Sequence, residues 1–304
     1  MSTPPNIRYL PQHEIDKKKW DECIEAASNG LIYGYSFYLD HMSANWDALV
    51  LNDYECVMPL TWNKKYGFSY LYQPFLAAQL GVFGKNLNKE MVDQFVKAIP
   101  GKFKLIEISM NSGNIGVKDG ISRANYVLDL GKSYDELSAA YKDNIKRNVR
   151  KANQSGCKLY KDFDAEKVIQ LAIAQMRNYG KESADNTERF RKLYHYLHEK
   201  GMATTYGILS SRKELLASCI FFYSHGRAYY ILVGNHPDGR TIGASHALID
   251  EFIKDHAGKK LTLDFEGSDI RNLAYFYGSF GANAEVYPAL KMNRLPFYLK
   301  WLKR

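Results

Sequence analysis

The sequence predicts a mixed α/β fold, with strands and helices built into twisted mixed sheets, in two domains. Three observations carry this. Helix-like and strand-like patterns alternate along the chain. Its 304 residues are about twice the usual ~150 of one domain. One helix–turn–strand segment occurs twice.

Each element follows from its pattern. Residues 17–27 read as a helix, because Trp20, Ile24 and Ala27 recur at helical spacing. Residues 46–51 and 55–62 read as strands around a turn at Asn52 and Asp53. A helix over 88–99 stops at Pro100 and Gly101, and strands follow over 103–110 and 126–130. Ser133 and Glu136 form a capping box, which opens a helix expected to run to 154 before Gly156. Its apolar stripe is Leu137, Tyr141, Ile145, Val149 and Ala152. Helices over 165–179 and 187–200 come next, then strands over 204–209, 215–223 and 228–234. A turn at Pro237, Asp238 and Gly239 leads into a helix to 256. A strand over 261–265, a helix over 270–280 and a strand near 285–290 complete the series.

The repeat aligns residues 92–102 on 249–259 without gaps, and the frame carries Ile106, Glu107 and Ile108 onto Leu263, Asp264 and Phe265. Each copy is a helix, a Gly-Lys turn and a buried strand. Amphipathic helices resemble one another by chance, but agreement of all three elements in one frame favours duplication. The division expected from it is 1–130 and 131–304.

Composition bounds the function. Hydrophobic residues are 46% and charged residues 24%, so the chain is globular rather than disordered. Mean hydropathy is −0.39, and the longest apolar run, 215–223, is too short to span a bilayer. The first residues carry neither a charged nor an apolar leader region, so no signal peptide is expected and the default location is cytoplasmic. Cys23, Cys56, Cys157 and Cys219 stand far apart, which argues against a zinc site or a disulfide framework; no metal is expected. Lys and Arg total 41 against 33 Asp and Glu, a net +8. That surplus suits anionic partners such as nucleotides or tRNA, and it also suits plain solubility.

The segment 228–245 is the first with readable chemistry. A buried strand runs into Gly234, Asn235 and His236, and then Arg240, Thr241, Ile242, Gly243, Ala244 and Ser245 lead into a helix. A helix N-terminus offers unpaired N–H groups and a positive dipole end to an anion. Gly243 lets backbone approach, Arg240 adds a fork of donors and Ser245 a hydroxyl. The alternative is an ordinary polar turn. In the repeat frame Asn86 stands for Gly243 and Phe83 for Arg240, so only the second copy suits a phosphate.

Arg240, Gly243 and Ser245 resemble the Q/R-x-x-G-x-G/A pyrophosphate loop of the GNAT superfamily of acyl-CoA N-acyltransferases, with Ser in place of the last Gly or Ala. Asn272, Tyr277 and Gly281 resemble its N…Y…GF segment, with Ala282 in place of the aromatic. Residues 261–268, followed by an aromatic-rich helix and Phe280-Gly281, are similar to the DFGG…FK…FG region of FemABX-type peptidyltransferases, which consist of two GNAT-like domains. Residues 141–156 are similar to their R…IRKA…G helix. The likeness covers about 120–290 well and the first domain weakly. It implies two GNAT-like domains in tandem, the first with a degenerate cofactor loop.

The resemblance also implies a mechanism. Acetyl-CoA or another acyl-CoA would lie in a splay between two strands. Its pyrophosphate would meet residues 240–245, its pantetheine arm Val233, and Asn272 would belong to the same site. An amine of a small molecule or peptide attacks the thioester, and Tyr277 protonates the leaving thiolate. Tyr277 also reads as a packed aromatic. Strand alternation puts Asp264 and Glu266 on one face, which makes Glu266 the candidate base, or else a helix cap; His236 is weaker. Lys142, Lys146, Arg147, Arg150 and Lys151 form a basic helix, either a solvated face or a phosphate reader for CoA or aminoacyl-tRNA. Gly243, Ser245 and Ala247 fail as a G-x-S-x-G elbow, and His195, His198 and His225 lack ligand spacing. The reading is acyl transfer from acyl-CoA to an amine. The alternatives are aminoacyl-tRNA-dependent transfer to a cell-wall precursor and a non-catalytic binding module.

Overall fold

The structure, a computed structural model, describes residues 6–117, 120–177, 183–267, 269–297 and 299. The chain divides into two compact units, Met1–Arg123 with Val286–Arg304, and Ala124–Glu285. The repeat frame expected one division after residue 130. The second crossing arises because the last strand returns to pair in the first unit, which takes the C-terminal segment with it.

The first unit runs β1 (Ile7–Leu10), α1 (Lys17–Ala26), α2 (Ser36–Met42), β2 (Asn45–Leu51), β3 (Cys56–Lys65), β4 (Phe68–Leu71), β5 (Phe83–Gly84), α3 (Lys89–Ala98) and β6 (Phe103–Ser109). The strands β1, β2, β3 and β4 pair antiparallel in sequence, β5 adds to β3, and β4 pairs parallel with β6. Asp16 caps α1, and the helix turns Trp20 and Ile24 inward. Trp20 packs on Trp46 with centroids 5.1 Å apart.

The chain enters the second unit within β7 (Ile121–Asp129) and leaves it within β13 (Asn283–Asn293). Between them lie α4 (Tyr134–Ala139), α5 (Asp143–Gln154), β8 (Lys158–Lys161), α6 (Ala165–Arg177), α7 (Ala184–Glu199), β9 (Ala203–Leu209), β10 (Leu215–Ser224), β11 (Arg227–Asn235), α8 (Pro237–Ile242), α9 (Ala244–His256), β12 (Thr262–Asp264) and α10 (Arg271–Gly278). The sheet order is β7-β12-β11-β10-β9-β8, antiparallel except for β11 and β12. Helices cover both faces of β10, because neighbouring residues point to opposite sides. Phe221 stacks on Phe252 of α9 at 3.8 Å, and Phe222 on Phe190 of α7 at 5.6 Å.

Three sequence expectations change. The helix expected over 133–154 is two helices, because Lys142 is extended and its N–H donates to the Ser279 carbonyl at 2.9 Å. The capping box of Ser133 and Glu136 forms as expected. The turn expected at 237–239 is the first turn of α8, with Pro237 at its N-terminus and His236 as cap. The strand β12 stops at Asp264, and Glu266 takes a left-handed conformation at φ 54°, so strand alternation does not reach it. The expected helix end at Tyr179 lies outside the described residues. The short strands β1, β4, β5 and β8 and the helix α2 carry too little pattern to be read from sequence. No helix among the described residues is long and apolar enough to cross a membrane.

Candidate functional site

The site begins with a mismatch in strand length. The parallel register joins Arg227, Ala228 and Tyr229 of β11 to Thr262, Leu263 and Asp264 of β12. There β12 ends, and the Phe265 amide turns to the Tyr126 carbonyl at 2.9 Å. Meanwhile β11 continues to Asn235, so residues 230–235 have no strand neighbour on that edge among the described residues. Val233 lies in this stretch, opposite Cys219 of β10.

The start of the divergence is held by a buried ionic cluster. Arg227 donates to Asp264 at 2.9 Å and to Glu285 at 2.7 Å, and Asn125 donates to Asp264 at 2.9 Å. Asp264 is 2% exposed, and burial raises its carboxyl above the ordinary range while Arg227 pulls it back. Asp264 therefore serves the strand junction. The Glu266 amide donates to it at 2.9 Å, which fixes the bend that carries Glu266.

Beyond β11 the chain forms α8 and α9. Arg240 and Thr241 are exposed, Ile242 and Ser245 half-buried, and Ala244 buried. Gly243 ends one helix and begins the other at φ 82°. No side chain caps the N-terminus of α9. In the first unit the Asn88 side chain caps α3 by accepting from the Met91 amide at 2.8 Å. The sequence reading took Gly243 as room for an anion. A β-carbon there would instead meet the Asn148 backbone of α5, so helix packing alone demands glycine.

Tyr277 lies in α10, 8% exposed, stacked on Phe265 at 4.6 Å and near Tyr126 at 6.4 Å. Burial, with a smaller push from the charge of Glu266, raises its phenol pKa, so it holds its proton at neutral pH. The fold thus places Tyr277 within reach of the charge of Glu266. Asn272 is exposed on the first turn of α10. His236 is occupied as the cap of α8, accepting from the Asp238 amide at 3.3 Å.

Sequence reading missed His246. It follows Ser245 and packs edge-on against Phe276, the neighbour of Tyr277, with centroids 4.9 Å apart. It thus links the start of α9 to α10. Burial lowers its pKa to about 4, so the ring is neutral. Its Nε2 lies 3.4 Å from the Asn148 Nδ2, and its Nδ1 is buried without a hydrogen-bond partner. Its position one turn into α9, three residues after the glycine, was the available signal.

The basic residues divide by role. Lys142 lies over the Tyr275 ring at 4.6 Å, and Lys146 donates to the Ala139 carbonyl at 3.3 Å. Lys151 donates to the Thr241 carbonyl at 2.9 Å, tying α5 to α8. Arg147 and Arg150 are exposed. Among the described residues no cluster of side chains could hold a metal ion.

Residues 139–275 match a family model described as an acetyltransferase (GNAT) domain. No curated protein sequence matches the chain. The crystal structure of FemX superposes with a TM-score of 0.64 at 15% identity, covering 94% of this chain and 98% of that one. A conserved protein of unknown function from Bacteroides thetaiotaomicron superposes at 0.56 with 13% identity, covering 96% and 100%. The C-terminal domain of a putative lysylphosphatidylglycerol synthetase from Agrobacterium fabrum superposes at 0.54 with 9% identity, covering 92% of each chain.

Proposed function

Because the chain belongs to the GNAT acyltransferase superfamily and has FemABX-like relatives, we propose that it moves an acyl group from acyl-CoA to an amine. The observation that carries this reading is the edge of β11 over residues 230–234, which has no strand neighbour among the described residues, while the Asn235 amide beyond it donates to Gln175 at 2.8 Å. It can pair with the amides of a pantetheine arm near Val233. The uncapped start of α9, with Ala244, Ser245 and the exposed Arg240 and Thr241, suits the pyrophosphate. Ile242 packs the loop against the core, and the reading assigns the exposed Asn272 to the same site.

In this reading Glu266 takes the proton of the attacking ammonium. The free amine adds to the thioester carbonyl, the C–S bond breaks as Tyr277 gives its proton to the sulfur, and the proton then shed by the new amide nitrogen restores the phenol. The phenol is protonated at neutral pH, as a donor must be, while burial makes it a weaker acid that gives up its proton only as negative charge builds on the sulfur. The acceptor is a small-molecule or peptide amine. The shared order of parallel strand, helix and parallel strand in β4–α3–β6 and β11–α9–β12 supports a tandem duplication, with the first copy degenerate at its cofactor loop. Both donors considered are cytoplasmic molecules, which supports a cytoplasmic place of action.

A second reading replaces acyl-CoA by aminoacyl-tRNA. The exposed cations of residues 142–151, with Lys151 tied to Thr241, favour it. Thermal denaturation with each donor separates the two. Acyl-CoA at a hundredfold excess over its Kd should stabilise the protein by about 2.7 kcal/mol. Arg240→Gln should weaken that effect without lowering the ligand-free Tm. Salt-sensitive binding of aminoacyl-tRNA with no response to any acyl-CoA would replace the first reading by the second.

A further inference from the structure

In the first unit the hairpin of β3 and β4 stands clear of its sheet. The strand β2 begins at Asn45, opposite Trp62, and β6 begins at Phe103, opposite Ser69. Residues 63–68 therefore project past both neighbouring strands, by roughly 10 Å. Asn63, Lys64, Lys65, Tyr66, Gly67 and Phe68 make this tip, which carries no acidic residue. Residues 63–67 are all exposed.

The turn holds an unexpected residue. Tyr66 takes a left-handed φ of 50°, and Gly67 follows at 80°. Asn-Gly is the pair that suits a tight hairpin turn, and a bulky ring at the first position is strained there. The fold gains little packing in return, because Tyr66 is 84% exposed. Strain of this kind at an exposed ring points to a task outside the fold.

Cations surround the ring. Lys65 Nζ lies 5.4 Å from the Tyr66 centroid. Further back, Lys64 and Lys102 lie over Trp62 at 5.9 and 5.7 Å, with Lys102 shared with Asp47 at 3.4 Å. At the same end of the sheet the Arg294 amide donates to the Lys104 carbonyl at 2.7 Å, and Phe297, three residues on, is 86% exposed. An aromatic ring at the apex with ammonium groups set behind it matches the layers of an anionic bilayer surface. The ring suits the headgroup level and the lysines suit the phosphates. A nucleic-acid strand needs a groove for its backbone, which a projecting hairpin tip does not offer.

We propose that this hairpin docks the protein peripherally on an anionic lipid surface, with Tyr66 entering the headgroup layer and Lys64 and Lys65 meeting lipid phosphates. Each lysine near such a surface is worth about fivefold in partitioning. The attachment is therefore reversible and weakened by salt. It does not depend on the acyl-transfer reading.

The test is co-sedimentation of the full chain with vesicles of phosphatidylcholine containing phosphatidylglycerol, and with vesicles of phosphatidylcholine alone. The protein should bind the anionic vesicles saturably, release them as salt rises, and leave the neutral ones. Lys64→Gln with Lys65→Gln should weaken binding about twentyfold. Tyr66→Asn should weaken it about fivefold. The same Asn variant should keep or raise Tm, because Asn suits the turn. A single-stranded RNA oligomer is titrated alongside. Absence of vesicle binding, equal binding to neutral vesicles, or binding indifferent to either variant overturns the proposal. So does RNA binding through the same residues that is tighter than vesicle binding.

Discussion

Gly243 lies against the backbone of Asn148: a β-carbon at position 243 would stand 2.7 Å from the Asn148 carbonyl oxygen. With φ at 82°, any side chain there is strained twice, by its own backbone and by α5. Gly243→Ala should therefore destabilise the protein by about 2 kcal/mol or more, measured by urea denaturation. Its counterpart Asn86 is exposed, and Asn86→Ala should stay within about 0.5 kcal/mol. Donor binding lost in a Gly243 variant would thus report packing as well as phosphate contact, which is why Arg240 is the better probe.

Tyr277→Phe keeps the ring that stacks on Phe265. Stability should hold within about 1 kcal/mol. Turnover should fall about 10²-fold, with donor affinity nearly unchanged, since in the proposed mechanism the hydroxyl acts only as the C–S bond breaks. Steady-state kinetics with an identified acceptor measures this. Wild-type turnover in the Phe variant would make Tyr277 a packing residue.

Arg227 is the main positive partner of the buried Asp264. Arg227→Met should cost about 3–5 kcal/mol, since it leaves a buried carboxyl uncompensated. Adding Asp264→Asn should recover part of that loss. Chemical denaturation of the single and double variants reads the coupling, and strictly additive losses would argue against it.

His246 predicts a pH dependence. Its folded pKa, about 4, lies below the ordinary 6.5. Between those values the unfolded chain binds the proton and the folded one does not, so stability falls as pH drops through that window. Wild type should lose about 2–3 kcal/mol relative to His246→Phe between pH 7.5 and 4.5. A constant difference across that range would mean that the ring is solvated in the native state.

Local order was legible wherever one segment carries its own signal. The capping box at Ser133, the stop at Pro100 and Gly101, and the strands over 203–235 follow from side-chain period and turn chemistry within a few residues. The repeat frame found the helix–turn–strand units for the same reason. Four-residue strands such as β1, β4 and β8 were silent, because four residues are too few to show a period.

What the sequence determined by itself was the α/β class, the elements around 228–256, and the residue types over 240–245 and at Tyr277. Tertiary structure decided what those residues touch. Lys142 leaves the helix because the Ser279 carbonyl offers its amide a partner from more than a hundred residues away. Asp264 becomes a structural ion because Arg227 and Asn125 converge on it across three strands. The charge of Glu266 reaches Tyr277 because β12 ends early and bends there. Each depends on groups distant in the chain, and a period or cap records only near neighbours.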